Sequence, residues 1–141
     1  MPEIPNINSV LETFMYYWYE NAMLDANKLQ LLMAQGAKIT CQTTQNSSGQ
    51  SSMTAHNDVL SMINMVLIKG VQNAEIAMWT PQILSDGYSL VVMVNWKDKD
   101  GKVLLMSNDT FYMQRVLASP QQRGLCIKSI TTHIVYYTSQ E

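Results

Sequence analysis

Charge is scarce in this chain. Lys, Arg, Asp and Glu make up 14% of its 141 residues, a low share for a free monomer, so a partner is expected to cover part of the apolar surface. The nine Lys and Arg residues are scattered without a cluster, and the formal net charge is −2. The footprint of a phosphate-backbone binder is therefore missing, and direct nucleic-acid binding is not expected. Cysteine is equally sparse: Cys41 and Cys126 lie far apart in strand-like segments and read as buried free thiols. No apolar run approaches the ~20 residues that a bilayer span requires. The opening MPEIPNINS has neither the basic stretch nor the apolar stretch of a secretion signal. No membrane role is expected, and the inside of a cell is the expected address, cytoplasm and/or nucleus in a eukaryote.

Catalytic signatures are also thin. The sequence has no Ser nucleophile elbow, no Gly-rich phosphate loop and no zinc motif. His56 and His133 stand without acidic or Cys partners at metal spacing, so neither a metal nor a cofactor is expected. Asp98-Lys99-Asp100-Gly101 begins like a calcium loop, but Lys102, Leu104 and Met106 follow, and the segment reads as a hairpin turn.

What is present is enough apolar material for a packed core, at 47% of the residues, and room for one domain over 1–141. Ser9-Val10-Leu11-Glu12 has the form of a capping box before a helical stripe of Val10, Leu11, Phe14, Trp18 and Ala22. Asp25 heads a second, shorter helix with Leu29, Leu32 and Met33 inward, closed by Gly36. A first strand over 37–42 leads to a polar loop from Thr43 to Ser52. Thr54 then opens a third helix carrying Val59, Leu60, Ile63, Val66 and Leu67 and ending at Lys69-Gly70. From there the period is two, with strands over 71–80, 87–97, 102–117 and 125–138. Turns are expected at Ser85-Asp86-Gly87 and at 98–101, and a longer loop from Ala118 to Gly124.

This order predicts an α+β domain, three N-terminal helices packed on a curved antiparallel sheet in the shape of a cone. Helices can cover one face of that sheet only. In the central hairpin, Val91 and Met93 alternate with Val92, Val94 and Trp96, while Val103, Leu105 and Phe111 alternate with Leu104, Met106 and Tyr112. Both faces are apolar, so a second protein surface should cover the open one. Alternation assigns Val92, Val94, Trp96, Met106 and Tyr112 to that open face, and Asp109 to the helix-covered side with Leu105 and Phe111.

The arrangement resembles the nuclear transport factor 2-like superfamily. Phe14-Met15-Tyr16-Tyr17-Trp18-Tyr19 matches a Phe followed by a Tyr pair, and Asp25 with Leu29 matches an Asp-then-Leu second helix. Gly49-Gln50 precedes the third helix, Gly70 to Met113 aligns with essentially no gap, and Asp109-Thr110-Phe111 falls where relatives have Gln-Thr-Phe. Ala118-Ser119-Pro120 looks most like the mRNA-export cofactor branch. The resemblance implies pairing through the open sheet face, adding His133 and Val135 to the five interface residues above.

Departures from the pattern bear on the branch. Gln42, Asp100 and Lys102 stand where the transport factor has acidic groups for Ran, Ile7 where it has an aromatic, and Val135 where export cofactors carry an Arg. Ran import is not implied. Ketosteroid isomerase shares the fold and needs an Asp base with a Tyr and a protonated Asp. By the resemblance its Tyr corresponds to Tyr17, its base to a position near Cys41, and its second Asp to one near Leu105. Two functions follow. The first is a non-catalytic protein-binding module, a homodimer or a heterodimer with a related domain, with nucleocytoplasmic transport or mRNA export and an export receptor as its setting. The alternative is a small-molecule-binding or isomerase-like enzyme using the cone pocket, with Tyr17, Cys41 and Asp109 as the candidate residues.

Overall fold

A computed structural model describes residues 6–119 and 122–137. Its longest helix, α1 (Ile7–Leu24), buries Leu11, Met15, Trp18, Tyr19 and Ala22 along one stripe. Ile7 is buried too, so the helix starts ahead of the expected cap, and the Ser9 N–H donates to the Asn6 carbonyl at 2.9 Å. The next segment, Ala26–Leu32, is a 3-10 helix and not an α-helix. Only Ala26 and Leu29 are buried in it, and an i, i+3 pair is satisfied by three residues per turn.

Gly36 does not close that helix. It sits at φ 77° inside β1 (Met33–Gln45), between the two paired stretches of the strand, where the register slips. A Cβ disfavours this conformation. The polar stretch expected as a loop is largely strand. β2 (Ser51–His56) folds back on β1, with Thr43 Oγ1 and Ser52 Oγ 2.8 Å apart and Thr44 Oγ1 and Ser51 Oγ 2.9 Å apart. As an exposed edge strand it has no buried face, so hydrophobic alternation gave no sign of it. Thr54 lies within β2, and the third expected helix shrinks to α2 (Val59–Ile63), capped by Asp58 Oδ1 on the Ser61 N–H at 2.7 Å. Leu60 points outward there.

The later strands are β3 (Asn73–Ile83), β4 (Tyr88–Lys97), β5 (Val103–Ser119) and β6 (Gln122–Tyr136). The expected Ala118–Gly124 loop is replaced by paired strand up to Ser119 and Gln122, and residues 120–121 lie outside the described residues. The sheet is six-stranded, ordered β2-β1-β6-β5-β4-β3. It is mixed: β1 runs parallel to β6, and the other pairs are antiparallel. α1, the 3-10 helix and α2 contribute to the buried core with the sheet's inner face. At its centre Trp18 and Phe111 meet edge to face with centroids 5.0 Å apart, and Phe14 meets Phe111 at 5.3 Å.

Strand register overturns part of the expected face assignment. Val92 pairs with Asp109, Val94 with Ser107 and Trp96 with Leu105. Directly paired residues share a face, so these three lie on the helix-covered side, essentially inaccessible at 0%, 0% and 1% exposure. The open face is carried instead by Val91 and Met93 on β4, with Met106 and Tyr112 on β5 and His133 and Val135 on β6.

The two faces make a direct test. Val94→Asp places an uncompensated carboxylate in the core and should cost several kcal/mol in urea unfolding. Met93→Asp, one residue away on the open face, should leave α1 and the core of each chain folded and cost far less. Comparable losses from the two would put the register out by one.

Candidate functional site

The inner face of β5 carries a polar pair in an otherwise apolar row: Ser107 and, two residues on, Asp109. A carboxyl at that depth needs donors, and three elements supply them. Tyr19 on α1 donates its hydroxyl to Asp109 Oδ2 at 2.5 Å, and Thr132, paired with Asp109 across β5 and β6, donates to Oδ1 at 2.5 Å. Ser107 Oγ donates to Oδ2 at 3.3 Å and itself accepts from Trp96 Nε1 at 2.9 Å. All four polar residues are at most 7% exposed, counting Tyr19, Ser107, Asp109 and Thr132.

Burial and hydrogen bonding act on Asp109 in opposite directions. Desolvation is the larger effect and raises its carboxyl above the ordinary value, while the hydroxyls of Thr132, Tyr19 and Ser107 hold it back. Tyr19 is pushed well up, first by burial and then by the charge and hydrogen bond of Asp109, so it remains a donor. Cys41 is buried in the same cross-strand row, with Thr132 between it and Asp109, and its thiol is raised to about 11 by desolvation and by Asp109. A thiol held protonated in this way is a poor base. Tyr136, raised to about 12 by burial and by Cys41, donates its hydroxyl to the Met65 carbonyl at 2.5 Å and ties β6 to the segment after α2.

Two sequence-derived candidates, Asp109 and Cys41, therefore lie together inside the cone. Tyr17 does not join them: it is 41% exposed. Two residues along a helix turn the side chain by roughly 200°, so the Tyr that reaches the carboxyl is Tyr19. The inward stripe already pointed to it, because Tyr19 stands four residues after Met15 and eight after Leu11. Ser107 was legible as a polar residue two positions from Asp109 on one strand face. Thr132 was not, since only the β5–β6 register brings it opposite.

The space beside Asp109 is a cavity of about 10 Å³, bounded by Trp18, Tyr19, Met62, Ile63, Val66, Trp96, Asp109 and Thr132. That is room for about one water molecule. Trp and aliphatic side chains fill the rest of the cone. Among the described residues, no three His, Cys, Asp or Glu groups converge with metal-site geometry. No helix among the described residues is long and apolar enough to cross a membrane.

The raised carboxyl has a consequence for stability. In the unfolded chain Asp109 titrates near 3.8, and in the folded chain at higher pH. Between those values the native state holds the extra proton, so this group's contribution falls as pH rises through the window and then levels off. Asp109→Asn removes the slope. The wild-type-minus-variant difference in urea unfolding should drop from about pH 4 upward, by about 1.4 kcal/mol for each unit of pKa elevation. A difference that stays flat with pH would contradict the raised value.

The sequence matches no family profile and no curated protein. Solved structures do match. A nuclear transport factor 2-like protein of unknown function from Shewanella baltica superposes with a TM-score of 0.58 at 15% identity, covering 99% of each chain. A protein provisionally named a dehydratase of the same family, from Streptomyces avermitilis, gives 0.60 at 13% identity over 96% of this chain and all of the other. One provisionally named a ketosteroid isomerase, from Parabacteroides distasonis, gives 0.51 at 12% identity over 99% of this chain and 97% of its own. At these identities the likeness is one of architecture, and the chain has the α+β fold of nuclear transport factor 2-like proteins.

Proposed function

We propose that this protein acts on a small molecule in the manner of an isomerase, with Asp109, inside the cone, as the acid–base group. The observation that carries this reading is the buried carboxyl itself. It is at most 7% exposed, its hydrogen-bond donors among the described residues are neutral, and it borders a small cavity between two Trp side chains. A domain needing only a packed core gains more from an apolar side chain there. A carboxyl raised toward neutrality suits a general base that takes a proton from carbon and returns it elsewhere on the same substrate. Tyr19, held protonated, supplies a neutral hydrogen bond to that carboxyl. The dehydratase and ketosteroid isomerase names given provisionally to the Streptomyces avermitilis and Parabacteroides distasonis neighbours support this class of chemistry.

The test is proton exchange. A panel of small cyclic ketones is incubated in D2O and deuterium uptake is followed by NMR. Wild type should accelerate uptake into at least one ketone, with a rate that rises with pH as Asp109 ionises, and Asp109→Asn should lower that rate by about 100-fold or more. Absence of any acceleration, or exchange that persists in the variant, overturns the assignment.

A second reading concerns the open face. On β5 it runs Met106, Asn108, Thr110, Tyr112 and on β6 Ser129, Thr131, His133, Val135, without a carboxylate, ammonium or guanidinium in either row. We propose that a second copy of the chain covers it. His133, whose Nε2 lies 2.9 Å from Thr44 Oγ1, stands on this face, where neutral imidazole is tolerated and a carboxylate is not. Light scattering on a size-exclusion column should show a homodimer for wild type and a folded monomer for His133→Glu. A monomeric wild type leaves only a heterodimer, and a dimeric variant puts the contact elsewhere.

A further inference from the structure

Outside the cone, the last turns of α1 and the start of β3 enclose an open groove of about 520 Å³. Its walls are Tyr16, Tyr19, Glu20, Met23 and Leu24 on the helix, with Gln72, Asn73, Ala74 and Ile76 opposite. This volume lies within the range of sites that hold small organic ligands, whereas the cavity beside Asp109 is far too small. One residue belongs to both. Tyr19 lines the groove and also the cavity, with its ring edge to face on Trp96 at 6.0 Å and its hydroxyl on Asp109.

We propose that the α1–β3 groove is the outer half of the ligand site, taking a neutral, flat, largely apolar molecule, and that the Tyr19 side chain is the partition between it and Asp109. The proposal rests on the small-molecule reading above and names its access route and ligand class. Swinging Tyr19 away breaks one hydroxyl–carboxyl bond and one edge-to-face contact, and it joins the groove to the cavity. A molecule lying in the groove then meets Asp109 at its inner end.

The lining selects the ligand. Tyr16, Tyr19, Met23, Leu24 and Ile76 offer aromatic and aliphatic contact, and two of these are unusually bare for apolar side chains, Tyr16 at 57% and Leu24 at 75% exposure. The amides of Gln72 and Asn73 supply neutral donors and acceptors. No Lys or Arg is among the lining residues, and the ionisable acids met along the route are Glu20 outside and Asp109 inside. An anion is repelled at both ends. A cation finds Glu20 at the rim but apolar walls beyond it. An uncharged ring system bearing a carbonyl or hydroxyl meets neither penalty.

Nile red, a neutral planar dye whose emission shifts to the blue in apolar surroundings, is a suitable probe. It should bind wild type saturably at one per chain, and Met23→Glu and Ala74→Phe should each weaken it by about tenfold or more. Two variants on opposite walls guard against misfolding of either, and circular dichroism checks both. Tyr19→Ala, by removing the partition, should tighten binding by at least about threefold. The anionic dye 8-anilinonaphthalene-1-sulfonate should show no component sensitive to the groove variants. Absence of saturable Nile red binding, its persistence in folded groove variants, or a failure of Tyr19→Ala to tighten it overturns the proposal. Nile red binding lost in the groove variants, with no ketone exchanging deuterium, keeps this site and removes the acid–base reading instead.

Discussion

The carboxyl of Asp109 ties the helical layer to the sheet at a single point inside the core. Tyr19 brings α1 to it, Thr132 brings β6, and Ser107 links it through Trp96 to β4. Each is a directional bond in surroundings of low polarity, where an unmet carboxyl oxygen is severely penalised. Apolar packing alone would let α1 slide or rotate by a fraction of a turn over the sheet. A hydroxyl that must reach one oxygen atom fixes both its height and its rotation. The same constraint places Trp18 and Tyr19 on adjacent parts of the inward stripe and leaves Tyr16 and Tyr17 outside.

Consequences for chemistry follow from that one placement. Desolvation raises the Asp109 carboxyl, the Tyr19 hydroxyl and the Cys41 thiol together. Their functions diverge because their ordinary values differ. A carboxyl moved upward comes closer to neutrality, while a phenol and a thiol moved upward leave the range in which they ionise. The cluster is thus one titrating acid among neutral donors, which suits proton transfer better than nucleophilic attack. Met62, Ile63 and Val66 close the cone over it, and Tyr19 faces both the closed interior and the open groove.

The remainder of the sheet divides its work by face. Val92, Val94 and Trp96 complete the core under the helices, whereas Met93, Met106, Tyr112, His133 and Val135 occupy the opposite side. The apolar run Leu90–Val94 in β4 does not by itself show which parity is inward, although Ser89 and Asn95 share the parity of Val91 and Met93 and mark that side as outward. Its partner strand does, through Ser107 and Asp109, which must be paired with residues on their own face. The register decided the assignment, in agreement with the outward parity of Ser89 and Asn95.

The sequence alone was sufficient for the α+β class, for α1, for the strands after Gly70 and for Asp109 as the inward-facing acid, since helical and twofold periodicities are local properties of the chain. It also carried the likeness to nuclear transport factor 2-like folds, but not the branch, because Ala118-Ser119-Pro120 and similar short matches are permissive. The tertiary structure decided the rest. Ser51–His56 became a strand only because β1 offers it an edge, and β1 runs parallel to β6 because strands distant in sequence meet. Tyr19 replaced Tyr17 because a rigid helix presents one stripe, and the carboxyl that it must satisfy lies 90 residues away.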